Sequence, residues 1–292
     1  MKKKFLVTGA SGFIASHVAD LLTNQGKRVI LLDRVKSPYK KIKQKMIVGD
    51  INNFRTLNLA TKKVDTIFHF AATADINEAD NKPFEAIENN ILGTVKLLKA
   101  CLKNKVKKII FASSVYAISE NGGIYSTTKL ASEIIIERLC KKYNFKYVIL
   151  RFGTVYGERA NSFNTIKNFV DNAKKKLKIF RETKGDEVRK YIHVKDVAKL
   201  VLNLSKKTYE NGHYNIFGNK KINVKSLLNI FKREMPNLKV KYSKYDKKNF
   251  NYKTNPFSFK LRIGKEIKLK KYISLQDGIA NLLKKWRKKL KS

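Results

Sequence analysis

Tyr125 and Lys129 are separated by Ser126-Thr127-Thr128. That spacing puts a phenol and an ammonium on one face of a helix, one turn apart. A free phenol has a pKa of about 10, too high for a base at neutral pH. An ammonium held within several ångströms favours the phenolate and lowers that value. Tyr125 is therefore a candidate proton acceptor and Lys129 the cation that tunes it and reaches a cofactor ribose. Ser114 ends the apolar run Ile109-Ile110-Phe111-Ala112-Ser113-Ser114, and its hydroxyl would hydrogen-bond the substrate oxygen that Tyr125 deprotonates. A second group lies at the start of the chain, where Gly9-Ala10-Ser11-Gly12 follows Phe5-Leu6-Val7-Thr8. A turn without side chains lets backbone N–H groups meet a pyrophosphate at a helix N-terminus. Asp33 closes the next apolar run 21 residues after Gly12. A carboxylate there accepts from both ribose hydroxyls of an adenosine and repels a 2′-phosphate, which favours NAD over NADP. Arg34, beside it, is able to tolerate that phosphate.

Isolated Tyr-x3-Lys pairs arise by chance in a chain with 53 Lys, so the elements around them decide. Apolar runs at residues 4–7, 28–32, 45–48, 64–70, 107–112 and 146–150 read as strands. Helical patterns at 12–24, 83–103 and 125–142 separate them. Strands apolar on both faces, alternating with helices, are the pattern of a parallel sheet covered on two sides. With right-handed crossovers this predicts a doubly wound α/β fold. Tyr125 then opens the helix after the fifth strand, and Ser114 sits at that strand's C-terminal edge, where such sheets bind ligands. Beyond residue 155 the rhythm breaks. Residues 156–190 read as loop and helix, 195–205 as an amphipathic helix, and the remainder as a mixed segment ending in a helix with Ile279, Leu282, Leu283 and Trp286. The expected division is a dinucleotide-binding domain, residues 1–155 plus about 191–217, and a smaller mixed α/β lobe, residues 156–190 plus 218–292.

The chain has 292 residues, 43% of them hydrophobic, which excludes a wholly disordered polypeptide. Its net charge of +41 comes from 64 Lys+Arg, of which only 11 are Arg, against 23 Asp+Glu. Nucleic-acid readers use the Arg fork; here Lys is spread over nearly every segment, so no specific nucleic-acid partner is expected. The basic end at residues 284–291 reads as a solvated helix terminus. No run approaches the length of a membrane span, and Phe5-Leu6-Val7 is too short for a signal-peptide core. Cys101 and Cys140 read as buried thiols of a reducing, cytoplasmic compartment. His17, His69, His193 and His213 have no metal-ligand spacing, so no metal is expected.

Taken in order, these motifs resemble the extended short-chain dehydrogenase/reductase family, in its NAD-dependent epimerase/dehydratase branch. Thr8-Gly9-Ala10-Ser11-Gly12-Phe13-Ile14-Ala15-Ser16-His17 is similar to its cofactor fingerprint, Gly49-Asp50-Ile51 to its adenine segment, and His69-Phe70-Ala71-Ala72 to the wall beneath the nicotinamide. Asn89-Asn90-Ile91-Leu92-Gly93-Thr94, Ser113-Ser114-Val115-Tyr116, Tyr125 with Lys129, residues 151–157 and residues 189–198 complete the set over roughly residues 4–220. The resemblance implies a Rossmann fold and assigns catalysis to Ser114, Tyr125 and Lys129. It assigns cofactor contacts to Gly9, Ser11, Gly12, Phe13, Ile14, Asp33, Arg34, Asp50, Ile51, Phe70, Ala71, Ala72, Asn90, Tyr125 and Lys129. Substrate contacts fall to Thr73, Ser114, Thr154 and Arg189, with Arg189 meeting the diphosphate of a nucleotide sugar. Thr154 and Lys190 depart from a common Asn and Asp, and Ala117 from a glycine.

The implied activity is epimerisation of a nucleotide sugar at carbon 4, with a homodimer built on helices near 84–103 and 126–142. A 4-keto-sugar reductase needs the same triad. A 4,6-dehydratase resembles these enzymes but carries an Asp-Glu pair where Val115-Tyr116 stands. A non-catalytic dinucleotide- or nucleic-acid-binding module has no use for Tyr125 and Lys129.

Overall fold

The computed structural model describes residues 3–119, 121–181 and 183–242. The predicted C-terminal helix and the basic end at 284–291 lie outside the described residues. Those described fall within one compact unit, Met1–Phe259.

The first half of the chain alternates as expected. Its elements are β1 (Lys4–Thr8), α1 (Phe13–Asn24), β2 (Arg28–Asp33), β3 (Lys45–Val48), α2 (Phe54–Ala60), β4 (Thr66–His69), α3 (Ile76–Asn81), α4 (Pro83–Ile87), α5 (Gly93–Lys103), β5 (Lys108–Ser114), α6 (Gly123–Lys142) and β6 (Lys146–Phe152). Then come β7 (Thr154–Tyr156), α7 (Thr165–Lys176), β8 (Lys178–Arg181), β9 (Val188–Arg189), β10 (Tyr191–His193), α8 (Val194–Leu204), β11 (Gly212–Ile216), β12 (Ile222–Asn223), α9 (Val224–Glu234) and β13 (Lys239–Tyr242). The main sheet is parallel throughout, in the order β11-β6-β5-β4-β1-β2-β3. The strand order reverses between β1 and β4, which opens a crevice at the strands' carboxyl ends.

Side chains on a strand alternate between faces, and here both faces are buried. Phe5, Val7, Val29, Leu31, Phe68, Ile110 and Val148 pack with Val18, Leu22, Val197 and Val201 of α1 and α8. The intervening Leu6, Ile30, Leu32, Ile67, Ile109, Phe111 and Ile149 pack with Leu57, Leu97, Leu98 and Ile136 of α2, α5 and α6. This is why the strands read as unbroken apolar runs. Cys101 and Cys140 are unpaired thiols within that second core. A third apolar cluster joins Phe169 and Ala173 of α7, Ile179 of β8, Leu227 and Leu228 of α9, and Leu238.

Three features depart from the sequence pattern. The helix expected over 83–103 is interrupted by one π-helical turn, Glu88–Leu92. There the Asn90 carbonyl accepts from the hydroxyls of Thr94 (2.6 Å) and Ser132 (2.8 Å), which widens the turn. The 156–190 segment contains strands β8 and β9, each paired only with a distant partner, β13 and β12 respectively. Strand β11 extends the main sheet beside β6; its half-exposed face lacks an apolar run. Among the described residues no helix is long and apolar enough to cross a membrane.

Candidate active site

A cavity of about 450 Å³ lies along the carboxyl ends of the main-sheet strands. At one end, β1 turns into α1 through Gly9, whose φ is +66°. A Cβ there would stand 2.6 Å from the Ala71 backbone nitrogen, so only glycine lets this turn sit against the Phe70–Ala71 segment. Gly12 begins α1 without a side-chain cap, leaving the first-turn amides of Phe13, Ile14 and Ala15 directed at the cavity wall they line. Asp33 lines the same wall; its carboxylate is aimed by backbone donors, Ser11 N–H at 2.9 Å and Val35 N–H at 3.2 Å. An uncapped helix start, a turn that a methyl group would fill and an oriented carboxylate together fit the pyrophosphate and ribose of a dinucleotide.

The floor is apolar, with Phe70 and Phe152 stacked at 6.2 Å. Beneath it His69 bridges Thr8 Oγ1 (2.7 Å) and Thr94 Oγ1 (3.0 Å). Burial, with the Lys129 charge adding to it, lowers its pKa to about 3. It is a neutral tie between β1, β4 and α5.

Helix α6 carries Tyr125 and Lys129 and is held from three directions. Its N-terminus is capped from outside, Asp80 of α3 accepting from Ile124 N–H at 2.8 Å. Gly123, at φ +50°, makes room for that carboxylate; a Cβ would meet Asp80 Oδ1 at 2.2 Å. The helix middle is fixed by Glu133, which is 2% exposed and accepts from Arg151 Nε (3.0 and 3.1 Å) and Nη2 (2.6 Å) of β6 and from the Ser113 hydroxyl of β5. Its inner face is held by Asn90, whose amide donates to Thr128 Oγ1 (2.9 Å) and the Thr73 carbonyl (3.1 Å) while accepting from Thr73 N–H (2.8 Å).

These restraints bring Ser114, Tyr125 and Lys129 to one stretch of cavity wall. The Tyr125 phenol is pushed up to about 12 by burial; a hydrogen bond with Ser114 pulls it down and the nearby Tyr116 phenol pushes it up. Lys129, 4% exposed, donates from Nζ to the Ala112 carbonyl at 2.9 Å, with Nζ 5.8 Å from the Tyr125 ring centroid. Burial lowers Lys129 to about 8, against the attraction of Glu133. The expected acidification of Tyr125 by Lys129 is therefore not what this arrangement produces. Burial of the phenolate outweighs every favourable contact, and the ammonium is turned towards Ala112.

Of the residues singled out from the sequence, Gly9, Gly12, Phe13, Ile14, Asp33, Arg34, Asp50, Ile51, Phe70, Ala71, Ala72, Ser114, Tyr125, Lys129, Thr154 and Arg189 all line this one cavity. Ser11, Thr73 and Asn90 stand behind the wall: Ser11 orients Asp33, and Thr73 and Asn90 clamp the loop after β4 to α6. His193 caps α8, its Nδ1 accepting from Lys195 N–H at 3.3 Å. Arg181, Glu187, Tyr116 and Tyr191 also line the cavity and were not singled out as site residues. The available signal was the period-two series Glu187, Arg189, Tyr191 on extended chain. Tyr116 and Arg189 are hydrogen-bonded to each other. Among the described residues no group of His, Cys, Asp and Glu is placed to hold a metal ion.

Residues 5–217 match the profile of the NAD dependent epimerase/dehydratase family. A putative UDP-glucose 4-epimerase of Methanocaldococcus jannaschii is 31% identical over 252 residues, covering 79% of this chain and 82% of that protein. The crystal structure of UDP-glucose 4-epimerase with UDP-glucose from Thermotoga maritima superposes with a TM-score of 0.80 at 25% identity, over 88% of this chain and 90% of that one. A Thermus thermophilus UDP-glucose 4-epimerase in complex with NAD gives 0.71 at 27% identity, over 82% and 85%.

Proposed function

The chain belongs to the NAD-dependent epimerase/dehydratase family, and from that premise we propose that it inverts carbon 4 of a nucleotide-activated hexose. Bound there, NAD would supply the hydride acceptor for the carbinol carbon and the hydride donor for the other face of the resulting ketone. The turn at Gly9 to Gly12 and the first amides of α1 would hold its pyrophosphate, and Asp33 its adenosine ribose, with Asp50 and Ile51 at the adenine.

Tyr125 accepts the proton of the substrate hydroxyl as the hydride leaves, and gives it back when the hydride returns. Ser114 donates to the same oxygen and holds it against the phenol. Lys129, one turn along the same face, offsets the burial of the phenolate when its Nζ turns from the Ala112 carbonyl towards Tyr125. Arg189 binds the diphosphate with a two-pronged, charge-assisted contact, and Thr154 meets the sugar. The two halves of the reaction need opposite sugar faces presented to one hydride site. Tight contact therefore belongs at the diphosphate and a roomier wall around the sugar.

The observation that carries this reading is the single cavity in which the glycine turn, the Ser114–Tyr125–Lys129 group and Arg189 meet. Residues 156–190 and 218–242 contribute to its lining and share an apolar core, which supports reading them as a substrate lobe. Phe84, Ile87, Leu130 and Ile134 leave exposed apolar surface on α4 and α6, which supports pairing of two copies through these helices; light scattering should give twice the chain mass.

The test of the activity is to incubate the protein with UDP-, GDP-, CDP- and dTDP-hexoses and resolve the products by NMR. One of them should be converted to its 4-epimer without net accumulation of NADH. Tyr125→Phe should lose turnover by at least about a thousandfold yet bind NAD unchanged. Stoichiometric consumption of NADPH, or full turnover by Tyr125→Phe, would refute the proposal.

A further inference from the structure

In the wall of the cavity a carboxylate oxygen is buried with no partner among the described residues. Glu187 precedes Arg189 by two residues; both line the cavity while Val188 between them is turned outward. The Glu187 side chain is 6% exposed. Its Oε1 accepts from Arg181 Nε at 3.1 Å, from Arg181 Nη2 and from the Thr183 hydroxyl. Its Oε2 has no hydrogen-bond partner among the described residues. Burial opposes ionisation here, but the bonds from Thr183 and Arg181 outweigh it and hold the carboxyl below its ordinary value. The group is therefore an acceptor with a lone-pair site that none of the described residues satisfies.

Its place along the cavity says which part of a ligand supplies the donor. Tyr125 is hydrogen-bonded to Ser114, and Tyr116, two residues on, is hydrogen-bonded to Arg189. Glu187 and Arg189 share a face of one extended segment, which runs on from Arg189 into β10, paired with β7 directly after main-sheet strand β6, so Glu187 lies on the side of Arg189 away from the main sheet. A hexose reacting at Tyr125 with its diphosphate at Arg189 puts the nucleoside beside Glu187. The diphosphate carries no donor and is repelled by a carboxylate, whereas the nucleoside offers O–H and N–H groups.

We infer that Glu187 is a specificity residue for the nucleoside half of the nucleotide sugar, its unpartnered oxygen accepting from a ribose hydroxyl or from a ring N–H of the base. The inference rests on the nucleotide-sugar reading above. It predicts discrimination by the nucleoside rather than by the hexose, since loss of a donor leaves a buried charge unpaired.

The test uses the full chain saturated with NAD, titrated calorimetrically with UDP, 2′-deoxy-UDP, 3′-deoxy-UDP, N3-methyl-UDP and inorganic pyrophosphate. Glu187→Gln keeps an oxygen for Arg181 and Thr183 but turns an NH₂ to the cavity. It should weaken UDP at least tenfold and leave pyrophosphate as tight or tighter. On the unaltered protein, at least one of the three modified nucleotides should lose a similar factor, which identifies ribose or base as the source. Should Glu187→Gln fail to fold, the modified nucleotides on the unaltered protein carry the test. Equal binding of all three with UDP overturns the inference, as does a Glu187→Gln loss shared equally by UDP and pyrophosphate. If the unaltered protein turns over none of the four nucleotide hexoses and binds neither UDP nor pyrophosphate, the nucleotide-sugar reading falls and the inference falls with it.

Discussion

Lys129→Met should make the protein more stable and inactive at once. The ammonium is 4% exposed and its pKa falls from 10.5 to about 8, chiefly through burial. At about 1.36 kcal/mol per pH unit, keeping it charged costs the fold about 3 kcal/mol. The sign follows from linkage. Below a pH of about 8 both folded and unfolded chains carry the proton and the cost is present in full. As pH rises towards 10.5 the folded lysine is already neutral and the cost disappears. Methionine removes this term and also the 2.9 Å bond to the Ala112 carbonyl, worth about 1 kcal/mol. The net gain is about 2 kcal/mol at neutral pH, or roughly 4–8 °C in Tm for a chain of this size. Urea denaturation at about pH 7 and about pH 10 checks it, the advantage vanishing at the higher value. A variant less stable at neutral pH, or one whose advantage is independent of pH, would refute the claim that Lys129 is a charged group held at the expense of stability. Turnover should be lost in either condition, because the cation that compensates a Tyr125 phenolate is gone.

Gly9→Ala forces a left-handed residue and a methyl carbon 2.6 Å from the Ala71 nitrogen; it should cost about 2–4 kcal/mol and weaken NAD binding, seen by thermal melting and NAD titration. Arg151→Met strands the Glu133 carboxylate in the core and should destabilise by about 3–5 kcal/mol, while adding Glu133→Gln recovers part of that in a double-mutant cycle. Asp33→Ser removes the carboxylate aimed by Ser11 and Val35; NAD should bind about tenfold more weakly and the preference over NADP should narrow, measured by titrating both cofactors.

The parts of this protein legible in its sequence are those set by short-range periodicity. A strand buried on both faces must be apolar along its length, so six of the seven main-sheet strands among the described residues announce themselves; Gly9 and Asp33 then fall at strand ends, and Tyr125 and Lys129 in the helix after the fifth strand, by counting alone. Strand β11, Gly-His-Tyr-Asn-Ile, is half-exposed and carries no such signal. The interrupted helix at Glu88–Leu92 is equally hidden, because one of the two hydroxyls on its Asn90 carbonyl comes from Ser132, 42 positions away. Chemistry divides along the same line. Residue type and spacing say that Tyr125 and Lys129 can share a face; they do not say which way the ammonium points or what burial does to the phenol. Those depend on the Ala112 carbonyl, on the Glu133–Arg151 pair and on how much water the packed elements exclude. The Glu187 acceptor is legible only in three dimensions, since an oxygen unpaired among the described residues is defined by what their packing fails to place beside it.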